Sequence, residues 1–576
     1  MIFLKYFPKK LTIKWIRNSY KSGKLKPVEL IEEIIKRVES NEDKNIWITK
    51  PSMDFIKVYL DNLLLKDIEK YPLWGIPFAV KDNIDVKGLK TTAACEKYGY
   101  AAKESAFVVN KLVEAGAIPI GKTNLDQFAT GLVGTRSPYG EVHNALDDKL
   151  ISGGSSSGSA VSVALGEATF SLGTDTAGSG RVPAALNNLV GYKPSLGAWS
   201  TKGVVPACAS LDCVTVFANN LEEAEIVNSY ARGFDDKCPW SKEYKDIVKN
   251  MPKVIYLPKD EPEFYGQFKE SFRAKWSEAV ERLKTLDIEI KYIDYSIFQE
   301  AASILYDGPW VAERYKDLGK FIEENKDDIF PVTKTILESG NKSSNTAVKM
   351  FEALHRLQEI KMISKNLLKN AVMIMPTAGG TFTREEVRED PIKTNSIMGK
   401  YTNHCNLLDM CAIAVPEKSD DIKLPFGITI FSLAENEGLI LKTAEEFLRK
   451  ESIDIAVCGL HMEDMELNSQ LIELDAKFVG TKNTSSDYKM IKLDTNPLKP
   501  GLIRVKEDGK SIKVEVYKMP VSNFGKFLTK VQKPLAIGNI ELEDGQVIKG
   551  FICEGYVKED SQDISDFKSF REYISK

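Results

Sequence analysis

The chain has 576 residues, of which 43% are hydrophobic and 28% are charged, and its net charge at pH 7 is −4. This length and composition indicate a globular protein of more than one domain. The net charge gives no sign of the basic surface that binds nucleic acid, so we do not expect a nucleic-acid partner. No apolar run approaches the ~20 residues that cross a bilayer, so we do not expect a membrane partner.

Cysteine and histidine usage narrows the class further. The eight cysteines are scattered without a C-x-x-C pair, and the chain has only four histidines. Scattered cysteines are typical of reduced thiols in the cytoplasm, and few histidines disfavour a metal site. The apolar stretch at the N-terminus is too short for the core of a secretion signal. We therefore expect a cytoplasmic protein without a metal or other cofactor.

The first predicted elements alternate between helices and strands. Residues 10–45 have a helical pattern, with Pro27 in the first turn of the second helix. Residues 73–80 (LWGIPFAV) form a short apolar run that is typical of a buried strand. A periodic helix then ends at Gly116, AIPIGKTN predicts the next strand, and LDQFATG predicts another helix.

The later elements continue this alternation and then change character. Helices and strands alternate through 156–225, residues 260–370 are mostly helical, and core strands return at 371–376 and 409–415. This order predicts an α/β fold with a mixed or parallel sheet. The C-terminal part has short β-like runs separated by turn residues, which predict a smaller, mainly β domain. The predicted domains are residues 1–450 and 453–576.

Residues 116–123 (GAIPIGKT) match the P-loop pattern G-x-x-x-x-G-K-[ST]. A P-loop requires a strand before its first glycine and a helix that begins at its Lys-Thr pair, whereas here a helix precedes Gly116 and the variable positions are apolar. Pro119 also lacks an N–H for a phosphate. The segment therefore predicts a helix end followed by a core strand, not a nucleotide site.

The glycine- and serine-rich stretch 151–188 allows three interpretations. A flexible linker is disfavoured because SAVSVALG and ATFSLG have helix and strand patterns. Gly154, Ser156 and Gly158 match the nucleophile elbow G-x-S-x-G, but the preceding DDKLISGG is a poor strand and no later histidine has a suggestive context. The third interpretation combines this stretch with Lys81.

Lys81 follows directly on the apolar run 73–80. Burial disfavours an ammonium group, so the pKa of the lysine falls and its neutral amine becomes a usable base. In residues 173–179 (GTDTAGS), small side chains leave consecutive backbone N–H groups accessible, as an oxyanion hole requires. A serine at the end of this segment can attack a carbonyl if a base removes its proton.

These motifs resemble the amidase signature family, and the resemblance covers about residues 5–445. It rests on GGSSSGSA, on GTDTAGSGRVPA and on the upstream AVKDNID. It implies the amidase signature fold, a mixed central sheet flanked by helices, and a Ser–cis-Ser–Lys triad. Matched position by position, Ser179 is the nucleophile, Ser155 the bridging serine and Lys81 the base.

The same resemblance implies an oxyanion hole formed by the backbone N–H groups of Thr176, Ala177 and Gly178. The family usually has GGS-I-R where this chain has AGSGR, so Ala177 replaces a glycine. Alanine is small enough to leave the backbone accessible to a substrate.

Further segments resemble the allophanate hydrolases of that family, namely 200–214, 306–315, 390–416 and the tail that begins CGLHMEDMELNSQL. The resemblance implies that allophanate (urea-1-carboxylate) is hydrolysed to ammonia and carbon dioxide via N-carboxycarbamate, in urea degradation. Another amidohydrolase, such as the glutaminase subunit of a tRNA-dependent amidotransferase, is the alternative.

Three residues match substrate-binding positions of the allophanate hydrolases. Tyr306 and Arg314 match a pair that binds the substrate, and a planar guanidinium suits its carboxylate. Taken alone, Arg314 also fits a surface helix residue paired with a glutamate. Gly131 lies in a loop that family members place beside the substrate.

The C-terminal domain resembles the second domain of allophanate hydrolases, an α+β domain with a γ-glutamyl-cyclotransferase-like fold. In that family it is implicated in decarboxylating N-carboxycarbamate. His461 is the only histidine of this domain, and its imidazolium would bind the product's carboxylate or protonate its nitrogen. The alternative is a histidine that only satisfies backbone groups at a strand end. The family also implies a homodimer and a functional link to a urea carboxylase.

Overall fold

The structure is a computed structural model that describes residues 7–306, 309–417, 424–449, 452–558 and 561–576, without the side chains of Tyr306 and Lys558. Contacts between Cα atoms divide the chain into two compact units, Met1–Leu448 and Arg449–Lys576. Each unit has a hydrophobic core of its own. None of the helices within the described ranges is both long enough and apolar enough to cross a membrane.

The helices of the first unit are α1 Ile13–Lys21, α2 Pro27–Ser40, α3 Met53–Leu63, α4 Phe107–Glu114, α5 Ser157–Ala164, α6 Val182–Leu186, α7 Leu221–Ala231, α8 Lys269–Lys284, α9 Ser296–Tyr306, α10 Val311–Glu324, α11 Pro331–Glu338, α12 Ala347–Leu368, α13 Arg384–Glu389, α14 Lys393–Met398, α15 His404–Leu407 and α16 Glu437–Leu448. Those of the second unit are α17 Asn468–Glu473, α18 Val521–Leu528 and α19 Phe570–Ile574.

The strands of the first unit are β1 Trp47–Thr49, β2 Pro77–Lys81, β3 Lys90–Thr91, β4 Tyr100–Ala101, β5 Ile118–Thr123, β6 Phe170–Asp175, β7 Val190–Lys193, β8 Cys213–Ala218, β9 Val254–Pro258, β10 Glu289–Ile293, β11 Ala371–Pro376, β12 Met410–Pro416 and β13 Gly427–Leu433. Those of the second unit are β14 Ser452–Val457, β15 Lys477–Asn483, β16 Tyr488–Leu493, β17 Lys499–Arg504, β18 Lys513–Pro520, β19 Leu535–Glu541 and β20 Val547–Cys553.

The first unit is built on a mixed central sheet, which confirms the predicted α/β class. Its strand order is β1-β5-β2-β6-β8-β7-β12-β13-β11-β9-β10. The neighbours β5, β2 and β6 are parallel to one another, whereas β6 and β8 are antiparallel. Strands β2 and β6 are buried along their whole length, and β2 is encoded by a continuous apolar run rather than an alternating one.

The parallel pair β2 and β6 brings two predicted motifs to one edge of this sheet. Phe78 is paired with Phe170 in the register, and their rings stack with centroids 5.1 Å apart. Because parallel strands end at the same edge, Lys81 at the end of β2 lies near the end of β6, where it contacts Thr174. The sheet thus joins a lysine to the glycine-rich segment that follows β6.

The predicted helix over residues 125–131 is wrong. Only Gln127–Ala129 form a short 3₁₀ turn, and Phe128 and Ala129 have positive φ angles of 52° and 53°. Side chains here bond to the backbone in competition with a helix: Gln127 donates from Nε2 to the carbonyl of Ala94, and the Asp126 carboxylate accepts from backbone N–H groups further along the loop.

The second unit is an α+β domain. Its five-stranded sheet has the order β15-β18-β14-β20-β19, and β16 and β17 form a separate antiparallel pair. The strand predicted at IAVCGL is the end of β14. Ile455, Val514 and Phe551, which lie on three strands of this sheet, belong to the hydrophobic core of the unit.

Candidate active site

Lys81 lies at the centre of the candidate site. Its side chain is fully buried, and its Nζ is 2.8 Å from Ser155 Oγ and 2.8 Å from Thr174 Oγ1. Burial lowers the pKa of Lys81 to about 7, although the negative charges of Asp126, Asp212 and Asp175 oppose this shift. Near neutral pH a large fraction of the side chain is therefore a neutral amine in contact with a serine hydroxyl.

Ser155 lies in the loop that leads into α5. The Gly154–Ser155 peptide bond is cis. Ser155 is fully buried, and its carbonyl accepts a hydrogen bond of 3.1 Å from the backbone N–H of Asp126. The structure therefore brings Ser155 next to Lys81, and its role as the bridging serine stays a prediction.

Ser179 and the predicted oxyanion segment occupy the turn between β6 and α6. Ser179 is 4% exposed. Thr176 donates from Oγ1 to Asp212 Oδ1 at 2.5 Å, which anchors the first residue of the segment. Gly178 has a φ of 143°, and a Cβ at this position would overlap with the side chain of Thr402, so the turn requires glycine there.

A buried ion pair and a hydrogen-bond cluster that the sequence analysis missed hold this turn. Arg181 binds the Asp175 carboxylate with two hydrogen bonds of 2.8 and 2.9 Å and also donates to the carbonyl of Thr402. Asp212 accepts from the backbone N–H groups of Ala207 and Cys208 in addition to Thr176. Arg181 could be recognised in the sequence as part of the AGSGR motif, whereas no local sequence pattern identifies Asp212 as a residue of the site.

Arg314 belongs to the buried interior and not to the surface. It is 3% exposed on α10 and donates from Nη1 to Thr130 Oγ1 at 3.2 Å. The neighbouring Glu313 instead accepts from the backbone and hydroxyl of Ser210. The interpretation of Arg314 as a residue of the helix surface is therefore wrong.

Gly131 directly follows Thr130, so the structure brings the predicted Gly131 loop and Arg314 together. A Cβ at Gly131 would overlap with the Asp126 carboxylate. Tyr306 ends α9, but its side chain lies outside the described part of the chain, and its predicted role stays a prediction.

The P-loop match is a core strand, as predicted. Residues 118–123 form β5, and Lys122 is buried in an ion pair with Asp82 at 3.0 Å, with a further hydrogen bond to Thr91 Oγ1. A lysine held in this way is not available to a phosphate.

His461 follows β14 in the second unit and lies among aromatic rings. Its ring stacks on Phe551 with centroids 5.0 Å apart and meets Phe527 edge-on at 5.5 Å, and its Nε2 is 3.3 Å from Gln470 Oε1. Burial lowers the pKa of His461 to about 4. The resting ring is therefore neutral near pH 7, so the imidazolium that the sequence analysis considered is not its resting form.

Comparison with family models gives matches to both units. Residues 29–441 match the family described as Amidase, and residues 453–575 match the family described as Allophanate hydrolase C-terminal domain.

Individual relatives agree with these matches. The urea amidolyase of Saccharomyces cerevisiae is 39% identical over 97% of this chain, which spans about a third (33%) of that relative's length. A glutamyl-tRNA(Gln) amidotransferase subunit of Legionella pneumophila is 32% identical over 73% of this chain and 93% of its own length. Among solved structures, the allophanate hydrolase of Kluyveromyces lactis is 38% identical with a TM-score of 0.71, covering 98% of this chain and 99% of that one.

Proposed function

We propose an activity for this chain on the premise that it belongs to the amidase family. The chain hydrolyses the terminal amide of allophanate, releasing ammonia and N-carboxycarbamate, and it takes part in urea degradation. The observation that carries the chemistry is the 2.8 Å contact between the buried Lys81 amine and the Ser155 hydroxyl at the sheet edge. The substrate follows from the likeness of both units to the Kluyveromyces lactis allophanate hydrolase.

The proton relay begins at neutral Lys81. One N–H of the amine donates to Thr174 Oγ1, which leaves the lone pair free to accept the proton of the Ser155 hydroxyl. Ser155 Oγ in turn accepts the proton of Ser179 as the Ser179 oxygen attacks the amide carbon. The result is a tetrahedral intermediate on Ser179 and an ammonium group on Lys81.

The oxyanion of this intermediate is bound by backbone N–H groups of residues 176–179. Anchoring of Thr176 by Asp212 and of Arg181 by Asp175 supports a fixed orientation of these donors. The relay then reverses and returns the proton to the leaving nitrogen, so ammonia departs and an acyl group remains on Ser179. A water molecule, deprotonated through the same relay, hydrolyses the ester and releases N-carboxycarbamate.

Arg314 is the group that selects a substrate with a carboxylate. A guanidinium carries fixed positive charge and two parallel N–H donors that match a planar carboxylate. Its position beside Thr130 and Gly131 supports a pocket between α10 and that loop. Tyr306 adds a hydroxyl donor to this pocket in our proposal.

The second unit acts on N-carboxycarbamate and promotes its loss of carbon dioxide. Its match to the allophanate hydrolase C-terminal domain supports this assignment. Since His461 is neutral at rest, it acts here as a hydrogen-bond partner within the aromatic cluster.

The cellular setting is also part of the proposal. All eight cysteines are free and buried, which favours a reducing compartment, and we propose a cytoplasmic homodimer with a small-molecule substrate and no cofactor. The relative named urea amidolyase, of which the chain spans a third, supports a functional link to a urea carboxylase that supplies allophanate.

A glutaminase subunit of an amidotransferase is the second candidate, because relatives with an amidotransferase name match 73% of the chain. The test is ammonia release by the purified chain with allophanate, glutamine, malonamate and biuret measured side by side. We expect allophanate to give the largest kcat/KM. Faster turnover of glutamine would contradict the proposal and favour the second candidate.

A further inference from the structure

Asp126 is a buried carboxylate next to the proposed relay. Its side chain is fully buried, and it accepts hydrogen bonds from the backbone N–H groups of Gly134 at 3.1 Å and Arg136 at 2.9 Å. Its own backbone N–H donates to the carbonyl of Ser155. Asp126 is thus bound to the Ser155 loop on one side and to the 134–136 loop on the other.

Steric contacts place the same carboxylate against the serine peptide itself. A Cβ added to Gly154 would overlap with Asp126 Oδ2, and a Cβ added to Gly131 would overlap with the same oxygen. The carboxylate therefore packs directly on the residue before Ser155 and on the loop that contacts Arg314. Glycine at both positions is the condition for this packing.

The charge of Asp126 acts on Lys81. Three carboxylates raise the proton affinity of this lysine, and Asp126 contributes more than Asp212 or Asp175. Asp175 is also bound by Arg181 through two hydrogen bonds, and Asp212 by Thr176.

The cations that face Asp126 are Arg136 and Lys81. Burial raises the pKa of the Asp126 carboxyl, and these two positive charges and the two backbone N–H donors oppose that rise. The charged form of Asp126 and the charged form of Lys81 therefore stabilise each other.

We propose that Asp126 is a positioning residue of the proton relay: its carboxylate fixes the Gly154–Ser155 peptide, and its negative charge stabilises the ammonium that forms when Lys81 receives the proton. This inference rests on the proposed hydrolase mechanism and adds a fourth group to it. The ammonium that forms on Lys81 then lies within the electrostatic influence of a buried carboxylate, which lowers the cost of creating a charge in the interior during acylation.

The test measures the relay independently of the substrate. Ser179 is labelled with phenylmethylsulfonyl fluoride, and the labelling rate is recorded from pH 5.5 to 9.5 for the wild type and for Asp126→Asn. Sulfonylation requires an activated serine but no particular amide substrate, so failure of the allophanate assay and failure of this inference are distinguishable. Ammonia release from allophanate is measured in parallel.

Glu167→Gln is the matched control. Glu167 is a buried carboxylate of the same unit that also accepts two hydrogen bonds, from Trp47 Nε1 and Asn41 Nδ2, and it does not act on Lys81. Thermal unfolding of both variants shows whether each is folded. The control separates loss of a buried carboxylate in general from loss of the Asp126 carboxylate.

The expected result for Asp126→Asn is a fall in the maximal labelling rate of about tenfold or more and a downward shift of the pH midpoint by about one unit, because Lys81 loses its strongest negative neighbour. Glu167→Gln keeps the wild-type midpoint. A wild-type midpoint and maximal rate in folded Asp126→Asn would overturn the proposal, as would an upward shift.

A second variant displaces the carboxylate without removing its charge, and it serves if Asp126→Asn does not fold. Gly131→Ala places a methyl group against Asp126 Oδ2. We expect the maximal labelling rate to fall by about tenfold because the Gly154–Ser155 peptide loses its support. An unchanged rate in a folded Gly131→Ala protein would contradict the positioning role.

Discussion

Lys81 is fully buried and His461 is partly buried, and the loss of solvent has different consequences for these two titratable side chains. It brings the pKa of Lys81 from 10.5 to about 7, where the neutral base and its protonated form are both accessible. It takes the pKa of His461 from 6.5 to about 4, away from neutrality. Desolvation therefore makes the lysine available as a neutral base and leaves the histidine uncharged near neutral pH.

The surroundings of the two groups explain why we propose a proton relay for only one of them. Lys81 contacts two hydroxyl groups and is flanked by three carboxylates that limit the fall of its pKa. His461 is packed between two phenylalanine rings and has a single amide partner, Gln470. We expect the amidase unit to be sensitive to changes of charge and the second unit to changes of shape.

The largest expected effect is that of Ser179→Ala. Removal of the nucleophile abolishes acylation, and we expect kcat for ammonia release from allophanate to fall by on the order of 10⁴-fold or more. The fall is measured by a coupled ammonia assay, with circular dichroism to verify folding. Ser156→Ala, a neighbouring serine whose hydroxyl bonds to the Thr174 carbonyl, is the comparison variant. Loss of activity in Ser156→Ala with retention in Ser179→Ala would identify Ser156 of the G-x-S-x-G motif as the nucleophile.

A smaller effect is expected for Gly178→Ala. The added Cβ would overlap with Thr402, so the turn must shift, and its N–H groups would no longer point at the oxyanion. We expect kcat to fall by about 10²–10³-fold with little change in KM. Thr402→Ala combined with Gly178→Ala should recover part of the loss. If Gly178→Ala has wild-type kinetics, the oxyanion assignment is wrong.

Arg314→Met tests the pocket for a carboxylate. A charge-assisted hydrogen bond contributes roughly 1.5–3 kcal/mol, so we expect KM for allophanate to rise about 10- to 100-fold while kcat changes less. Arg314→Lys keeps the positive charge but loses the planar fork, and its KM should fall between those of the wild type and Arg314→Met. Equal KM values in all three proteins would show that Arg314 does not bind the substrate.

The smallest effect is expected for His461→Phe, which keeps an aromatic ring between Phe527 and Phe551. Release of the first ammonia should change by less than about twofold, because we propose that the first step takes place in the amidase unit. Carbon dioxide release, followed by mass spectrometry, should lag behind ammonia release. A large loss of the first ammonia would show that His461 contributes to the first step.

Parts of the candidate site could be predicted because they depend on local sequence. A lysine that ends a buried parallel strand must lie at the same edge as the segment that ends the neighbouring strand, so Lys81 lies near the end of β6 and contacts Thr174. The depressed pKa of Lys81 also follows from burial alone.

Other parts depend on contacts between distant residues and could not be predicted. Asp212 binds Thr176 across 36 residues, and Asn406 donates to the carbonyl of Asp175 across 231. The order of the central sheet also depends on pairings between distant segments. At Phe128 the backbone is left-handed because tertiary hydrogen bonds override the helical pattern of LDQFATG.

The central claim is that a neutral amine at Lys81 begins the reaction, and the pH dependence of kcat/KM tests it most directly. Since the base must be deprotonated, activity is lost as the pH falls below the pKa of Lys81 and reaches a plateau above it. With allophanate as substrate, we expect a single acid limb with a midpoint near pH 7. We also expect no activity for Lys81→Arg, whose side chain stays charged. A flat profile down to pH 5, or an active Lys81→Arg variant, would contradict the account.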